Sequence, residues 1–221
     1  MKTFKGNNFN PSYIGERNDI LKLIPNKAKK ILDVGCSTGI LGEQIRNRNA
    51  AEVIGIEINR EMAQIAQKKI DKVITENIEE IKLNDYFSYK YFDCIIFADV
   101  LEHLKDPWKV LKEVVNFLSS EGIIIASIPN VRHFSTIISL CLKGYWPYKN
   151  RGIHDKNHLR FFTFKNIKEM FYISELEILY IKRNYRIIEK PCKFNRLSKY
   201  FAIIPFRDLL TFQYIIVARR K

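Results

Sequence analysis

Short apolar runs alternate along the chain with segments whose apolar residues recur at helical spacing. Residues 30–34 and 52–58 are apolar runs that predict buried parallel strands, and the segment that starts at Ile40 predicts a helix between them. The alternation continues with strands predicted at 72–75, 91–98 and 123–128, and with helices predicted at 60–70 and 108–118. This order predicts an α/β fold with a doubly wound, mostly parallel sheet.

The last third of the chain departs from this alternation. Residues 164–174 predict a helix, and residues 176–183 and 212–218 predict two further strands. Because the residues between these two strands predict no full helix, the two strands are expected to pair as an antiparallel hairpin.

Two segments without clear periodicity interrupt the predicted elements. Residues 131–162 are rich in aromatic residues, cations and histidines, and residues 184–210 are basic and aromatic. We interpret the first as a lid and the second as a basic insert, both within a single domain that covers residues 1–221.

A glycine turn joins the first predicted strand to the first predicted helix. Gly35 and Gly39 let the backbone approach a ligand where a Cβ atom would collide. Glu57 ends the second strand about 20 residues after the turn, where an acid can accept hydrogen bonds from ribose hydroxyls. The spacing D-x-G-x-x-x-G differs from dinucleotide and triphosphate motifs, and Asp33 would repel a pyrophosphate but attract an ammonium group. We therefore expect a nucleoside without phosphates, and neither NAD nor ATP.

The segment ILDVGCSTG, followed by IGIEIN, resembles motif I and the ribose-binding acid of class I S-adenosylmethionine (SAM) dependent methyltransferases. Ser37 stands where the family usually has its middle glycine. The resemblance implies a Rossmann-like, seven-stranded class I methyltransferase fold with SAM as cofactor. The cofactor-binding residues that we assign on this basis are Arg17, Asp33, Gly35, Cys36, Gly39, Glu57, Ile58, Asn77, Ile78, Ala98 and Asp99.

The resemblance also implies individual roles within this set. A helix predicted at 14–24 precedes motif I, and Tyr13 and Arg17 could reach the methionine end of the cofactor. Asn77 matches the polar residue at the adenine amino group, and Ile78 matches the apolar residue on the adenine ring. Cys36 is expected to form a small neutral wall of the cofactor turn.

The segment ADVLEHLKDP resembles the region after the fourth strand in ubiquinone-type O-methyltransferases. In some of those enzymes two acids and a histidine bind a divalent metal, and Asp99, Glu102 and His103 occupy these positions here. Because this cluster lacks a full ligand set, we predict no metal and a structural pair of Glu102 and His103.

The segment GIHDKNHLRFFT resembles a bacterial subset of these enzymes that is linked to cell-surface polysaccharide synthesis. We predict that His158 is the general base, with Asp155 holding its tautomer, and that His103 is the second candidate. Arg160 could grip a carboxylate or a phosphate with two N–H groups.

Composition narrows the setting in which this chemistry would occur. The net charge is +13, and the excess of Lys and Arg is concentrated near the C-terminus. This basic region could bind nucleic acid, an anionic membrane surface or a phosphorylated substrate. Alternatively, it is a solvated surface without a partner. The four cysteines are scattered, which predicts reduced thiols and a cytoplasmic protein.

These observations predict a SAM-dependent methyltransferase that acts on a hydroxyl of a sugar or another small metabolite, free or linked to a lipid or nucleotide. Two alternatives stay open at the level of sequence. One is an RNA methyltransferase that uses the basic C-terminal region, and the other is a SAM-binding protein without turnover. Peripheral membrane contact also stays open, and the sequence does not predict an oligomeric state.

Overall fold

The computed structural model describes residues 14–187, 195 and 207–221. The sequence assignments for Tyr13, and for most of the basic insert, lie outside the described residues, as does Cys192. The strands are β1 (Lys30–Val34), β2 (Glu52–Ile56), β3 (Lys72–Ile74), β4 (Phe92–Ala98), β5 (Leu118–Pro129), β6 (Leu176–Tyr185) and β7 (Thr211–Arg220). They form a seven-stranded sheet in the order β3-β2-β1-β4-β5-β7-β6. Strands β1 to β5 pair in parallel, and β7 pairs antiparallel with both β5 and β6. The predicted fold class is thus confirmed, including its terminal antiparallel hairpin.

Helices cover both faces of this sheet. The α-helices are α1 (Asn18–Leu21), α2 (Ile40–Asn49), α3 (Arg60–Ala66), α4 (Pro107–Val114), α5 (Phe134–Ile137), α6 (Phe164–Ile173) and α7 (Arg207–Leu210). Short 3₁₀ turns lie at Leu83–Asp85, Leu101–His103 and Val115–Phe117, and one π-helical turn lies at Ile138–Leu142. Within the described residues, no helix combines the length and apolar character that crossing a membrane requires.

The bounds of several predicted helices differ from the observed ones. The helix predicted at 14–24 is reduced to the single turn of α1, whose N-cap is Arg17. The helix predicted at 108–118 tightens to a 3₁₀ turn after Val114, since Leu118 already pairs with Phe92 at the start of β5. The apolar stretch at 134–142 is one α turn followed by a π turn.

Two apolar clusters lie on opposite faces of the sheet. Along β1, Leu32 and Val34 belong to one cluster, whereas Ile31 belongs to the other. This alternation follows from the two-residue period of a strand and explains why β1 is apolar at nearly every position. Because β1, β2 and β4 are parallel, the segments that follow them meet at one edge of the sheet, and the predicted site residues lie there.

Candidate active site

The glycine turn after β1 is tied to the end of β2. Gly35 has φ +70° and its N–H donates to the carbonyl of Ile56 at 2.7 Å. The carboxylate of Glu57 accepts from the N–H of Ser37 at 2.8 Å and from the N–H of Asn59 at 2.9 Å. Glu57 is therefore held between the turn and the start of α3, and each of its oxygens keeps lone-pair capacity for further donors.

The two predicted glycines have different physical roles. A Cβ atom on Gly35 would lie 2.6 Å from Cγ2 of Val100, so this glycine lets the turn pack closely against Val100 while it lines the edge of the sheet. A Cβ atom on Gly39, which has φ +72°, would lie 3.0 Å from Cα of Ala66 in α3. Gly39 thus permits close packing of the turn against α3, and it does not line the cavity described next.

A cavity of about 650 Å³ runs along the carboxyl ends of β1, β2 and β4. Its size falls within the range of small-ligand pockets. Its walls bring together all of the predicted cofactor residues except Gly39: Arg17, Asp33, Gly35, Cys36, Glu57, Ile58, Asn77, Ile78, Ala98 and Asp99. Met62, Leu104 and Leu159 also line it, and the sequence could not single them out because apolar residues in such positions are typical of core.

Asp33 and Glu57 are the buried acids among those that line this cavity, and burial affects the pKa of each. Asp33 is 2% exposed, and burial, followed by the nearby charge of Glu57, raises the pKa of its carboxyl to about 7. Burial also raises the pKa of Glu57, although the N–H donors of Ser37 and Asn59 oppose this shift. A cationic group near Asp33 would favour the ionised carboxylate, as we expect for an amino-acid ammonium group.

Asn77 has local hydrogen bonds of its own. Its Oδ1 accepts from the N–H of Glu79 at 3.1 Å, and its Nδ2 donates to Glu80 at 2.9 Å. The side chain therefore caps the turn after β3 as well as lining the cavity, next to buried Ile78.

An ion pair between Arg17 and Asp99 borders the cavity at the end of β4. Asp99 has φ +60°, and its carboxylate also accepts from Ser127 Oγ at 3.1 Å and from the amide of Gln213. Arg17 additionally pairs with Asp19 at 3.0 Å. Burial alone would lower the pKa of Arg17, but the charge of Asp99 and the hydrogen bond that Arg17 donates to Asp19 outweigh it and raise the pKa. The ion pair of Arg17 and Asp99 forms a wall of the cavity.

A second cavity of about 600 Å³ lies on the other side of this wall. Arg17, Asp99 and His103 line both cavities, which makes the two neighbours along the sheet edge. The second cavity continues between the lid and the start of β7, where His158 and Phe212 line it. A molecule in the second cavity would thus lie next to one in the first.

Two histidines meet at this boundary. The rings of His103 and His158 are in T-shaped contact with centroids 4.7 Å apart. Nδ1 of His103 lies 3.0 Å from the carbonyl oxygen of Asn157, and Nδ1 of His158 lies 3.2 Å from that of Ile153. Because a carbonyl only accepts, both Nδ1 atoms carry the proton, and in the neutral ring Nε2 is the basic atom.

The tautomer of His158 therefore has a different cause from the expected one. The sequence predicts this role for Asp155, whose carboxylate accepts from the N–H of Asn157 at 2.9 Å. The carbonyl of Ile153 is the observed partner of Nδ1. Sequence spacing predicted an acid near His158 and could not show that a backbone carbonyl contacts this nitrogen.

Glu102 lies beneath this histidine pair and is 1% exposed. Its Oε1 is 4.0 Å from Nε2 of His158, and its Oε2 has no hydrogen-bond partner among the described residues. Burial, followed by the charge of Asp99, raises the pKa of Glu102 well above its ordinary value. Burial and the neighbouring His103 lower the pKa of His158 to about 4. His158 is consequently neutral at pH 7, and burial favours the protonated form of Glu102.

The same three side chains carry ligand atoms that could face one metal ion. These atoms of Glu102, His103 and His158 lie within 4.8 Å of one another. By resemblance, Asp99 would be the third metal ligand beside Glu102 and His103, but Asp99 pairs with Arg17. The lid supplies His158 in its place.

Other polar side chains of the lid contact neighbouring residues of the protein. His133 is fully buried and bonds Ser135 and the carbonyl of Arg186, each at 2.8 Å. His154 lies 3.1 Å from the hydroxyl of Thr136. Arg160 donates to the carbonyl of Lys105 at 3.0 Å and lines neither cavity, and its anion contact stays a prediction.

The sheet order, the glycine turn and the cavity at the carboxyl ends of its strands define a class I SAM-dependent methyltransferase. Solved structures support this class. A SAM-dependent methyltransferase from Archaeoglobus fulgidus matches with TM-score 0.65 and 17% identity, over 95% of this chain and 97% of that one. The magnesium protoporphyrin IX methyltransferase of Synechocystis was solved with bound S-adenosylhomocysteine (SAH). It matches with TM-score 0.63 and 13% identity, over 92% of this chain and 81% of that one. At these identities the likeness shows the fold.

The family follows from the sequence comparison. The model of the methyltransferase domain family matches residues 11–181, and the chain belongs to this family, whose cofactor is SAM. An uncharacterised protein of Methanocaldococcus jannaschii is 32% identical over 166 residues, which cover 68% of this chain and 62% of that protein. A ubiquinone biosynthesis O-methyltransferase of Neisseria meningitidis is 27% identical over 134 residues, covering 58% of this chain and 56% of that protein. The match thus spans little more than half of these curated relatives.

Proposed function

We propose that this protein transfers a methyl group from SAM to a hydroxyl of a small acceptor, such as a sugar or another metabolite. The observation that carries the proposal is the histidine pair at the boundary of two adjacent cavities. A hydroxyl acceptor must lose a proton during transfer, and a neutral imidazole within hydrogen-bond reach can take it. The name of the Neisseria relative, an O-methyltransferase, supports the same reaction type.

The residues of the first cavity fit SAM. Gly35 lines the cavity without a side chain, Glu57 can accept from ribose hydroxyls, and Asp33 can face an ammonium group. Ile58 and Ile78 offer apolar surface to a purine ring, and Arg17 with Asp99 closes the far end. When bound, SAM supplies an electrophilic methyl group. The chain would bind it, orient it and exclude water from it.

His158 is the residue that we assign as the general base. Its neutral state at pH 7 leaves Nε2 able to accept a proton, and its Nδ1 proton is held by the carbonyl of Ile153. Asp99 lines the same cavity, and its charge favours the imidazolium that forms. His103 is the second candidate because it lines both cavities.

A transfer assay with radiolabelled SAM against a panel of hydroxylated metabolites tests the proposal. With a methylated acceptor in hand, His158→Ala should keep SAM affinity and lose about a hundredfold or more in turnover, as expected for a general base. Lys156→Ala, an exposed residue of the same lid, is the matched control and should turn over normally.

Other outcomes reassign the base. If His158→Ala is active while His103→Ala is inactive, His103 is the base. If both variants are active, catalysis relies on proximity alone and the histidines are structural. Transfer to amines or RNA, with no hydroxyl acceptor in the panel, would contradict O-methylation of a small metabolite.

A further inference from the structure

The tip of the lid, residues 137–148, presents a cluster of large apolar side chains to solvent. Its exposed apolar members are Ile137, Ile138, Leu140, Leu142, Tyr145 and Tyr148. The exposed fraction reaches 79% for Leu142 and 74% for Tyr148. Four aliphatic side chains fall within six consecutive residues, which a helical turn holds within about 8 Å along its axis. Exposed apolar side chains that are clustered in this way mark an interaction site.

The lid tip is a closed turn whose base is anchored in the lid. The N–H of Tyr145 donates to the carbonyl of Ser139 at 3.0 Å, and the hydroxyl of Ser139 donates to the carbonyl of Tyr145 at 2.7 Å. The ring of Trp146 is in T-shaped contact with the rings of His154 and Phe161, with centroids 4.9 Å and 5.0 Å apart. The π turn itself buries none of its residues, so its apolar side chains stay outside the core.

The charge around the lid tip favours an anionic partner. Residues 131–151 contain four Lys or Arg and no Asp or Glu. All four of these cations are exposed, namely Arg132, Lys143, Lys149 and Arg151. Because no acid interrupts this segment, the exposed cations give it a positive potential.

The neighbouring wall of the second cavity adds acids, which weaken this potential without reversing it. The acids are Glu16, Asp19, Asp99, Glu102 and Asp155. Glu102 and Asp155 are buried, and Asp19 and Asp99 pair with Arg17. Glu16 is the exposed acid of the five, and it accepts from Asn18 at 2.9 Å. The exposed cations of the lid segment thus outnumber the exposed acid beside them.

The mixture of side chains fits a lipid surface. Aliphatic side chains enter the boundary between headgroups and acyl chains, aromatic rings with a polar atom prefer the level of the headgroups, and cations attract anionic lipids. Leu140 and Leu142 supply the first kind, Tyr145 and Tyr148 the second, and Lys143 the third. A second copy of this chain fits less well, because it would bring like charges together.

We propose that the lid tip docks onto an anionic lipid bilayer, with its leucines inserted between the headgroups and its cations near the lipid phosphates. Docking does not require methyl transfer and so does not depend on the proposed function. Arg151, which follows the tip, lines the second cavity together with His158. A docked protein would hold this cavity close to the headgroups. If the proposed function holds, an acceptor linked to a lipid would reach His158 without leaving the bilayer.

Co-sedimentation of the full chain with lipid vesicles tests docking. The wild type should bind phosphatidylcholine vesicles that contain about one-third phosphatidylglycerol, and should bind pure phosphatidylcholine vesicles much less. Replacing Leu140 and Leu142 together by Ser should weaken binding about tenfold or more, because apolar burial is lost. Ile173→Ser is the matched control, since Ile173 is 61% exposed at the end of α6, near the opposite edge of the sheet. It should bind like the wild type.

A fluorescent probe on Cys141 shows whether the lid tip itself enters the bilayer. Cys141 is exposed, whereas Cys36 and Cys94 are buried. With Cys192 replaced by Ser, an environment-sensitive fluorophore on Cys141 should shift its emission to shorter wavelength when anionic vesicles are added. The same fluorophore on Ile173→Cys, in a chain in which Cys141 is also replaced by Ser, should show no shift.

Three results would overturn the proposal. The first is no binding of the folded wild type to anionic vesicles. The second is vesicle binding that the double leucine variant leaves unchanged, or that occurs without a shift at Cys141, because charge elsewhere on the chain would then explain it. The third is a wild-type dimer that the double leucine variant converts to a monomer in sedimentation equilibrium, without vesicle binding, which would assign the lid tip to a second copy.

Docking and transfer are measured separately, since the vesicles contain no acceptor. Circular dichroism confirms that each variant is folded. Vesicle binding through the lid tip without methylation of any hydroxyl would support docking and contradict only the proposed function. Methylation of a hydroxyl without vesicle binding would overturn docking and leave the proposed function intact.

Discussion

At the residue scale, the site depends on buried ionisable groups whose partners are distant in sequence. The glycine turn and the acid Glu57 could be predicted from the sequence because these motif residues lie close together along the chain. The ion pair of Arg17 and Asp99 could not be predicted, since the two residues are 82 positions apart. The contact of His158 with the carbonyl of Ile153 was not readable either, because residue types do not reveal backbone orientation.

Asp33 should make SAM affinity depend on pH. Its pKa is raised to about 7, so the carboxyl becomes protonated as the pH falls below 7 and no longer attracts an ammonium group. We expect the Kd for SAM to rise by up to about tenfold per pH unit below that value, the limit for one proton. Calorimetry between pH 8 and pH 5.5 measures this. A Kd for SAM that does not change with pH in the wild type would contradict the role of Asp33. The same pH dependence of the Kd in Asp33→Asn as in the wild type would contradict it too.

The same residue should lower stability at high pH. Because the folded-state pKa of Asp33 lies above its unfolded value, the folded state binds the proton more tightly, and stability from this group falls as pH rises from about 4 to 7. Asp33→Asn should therefore raise the unfolding free energy at pH 8, by on the order of 2–4 kcal/mol, with little difference near pH 4. Urea denaturation at both pH values measures it, and a destabilised variant at pH 8 would count against this account.

At the element scale, alternating apolar patterns identified the strands of the sheet, and boundaries moved where tertiary pairing intervened. Strand β5 starts at Leu118, inside the predicted helix 108–118, because it pairs there with Phe92. The segment at 134–142 has no buried residue in its π turn, so its apolar residues did not specify a regular amphipathic helix. Local pattern predicts an element's type better than its ends.

The variant Gly39→Ala tests how closely the glycine turn packs against α3. Gly39→Ala combines the strain of a left-handed backbone with a Cβ contact at 3.0 Å to the backbone of Ala66, and should cost about 2–4 kcal/mol of unfolding free energy. Gly144→Ala is the matched control, since Gly144 has φ +58° and nothing within 4 Å of a new Cβ. It should cost about 1 kcal/mol, from strain alone. Equal losses of unfolding free energy in Gly39→Ala and Gly144→Ala, measured by urea denaturation, would show that the contact with α3 relaxes.

At the scale of the whole molecule, the predicted order of elements and the mostly parallel sheet were confirmed, and the two cavities at one sheet edge follow from that topology. The division of the edge into two cavities could not be predicted, because it depends on how the lid and β7 lie relative to the segment after β4. The net charge of +13 names no partner by itself.

Removing positive charge from the basic C-terminal region tests whether the acceptor is a small molecule or RNA. Lys193, Arg196 and Lys199 lie outside the described residues, and their role stays a prediction from sequence. Replacing all three by Gln should leave SAH binding and turnover of a soluble acceptor unchanged. Wild-type RNA binding that falls steeply with salt, together with a shallower salt slope in the variant, would favour the RNA alternative.

Calorimetric titration of SAH tests most directly whether the cavity at the ends of β1 and β2 is the cofactor site. The folded wild type should bind SAH, and Glu57→Ala should lose about 1–3 kcal/mol of binding free energy as a charged hydrogen-bond partner is removed. Glu52→Ala, an exposed acid at the other end of β2, should bind like the wild type. Circular dichroism at the same temperature confirms that each variant is folded. Absence of SAH binding to the folded wild type, or equal affinity of Glu57→Ala and Glu52→Ala, would contradict the account.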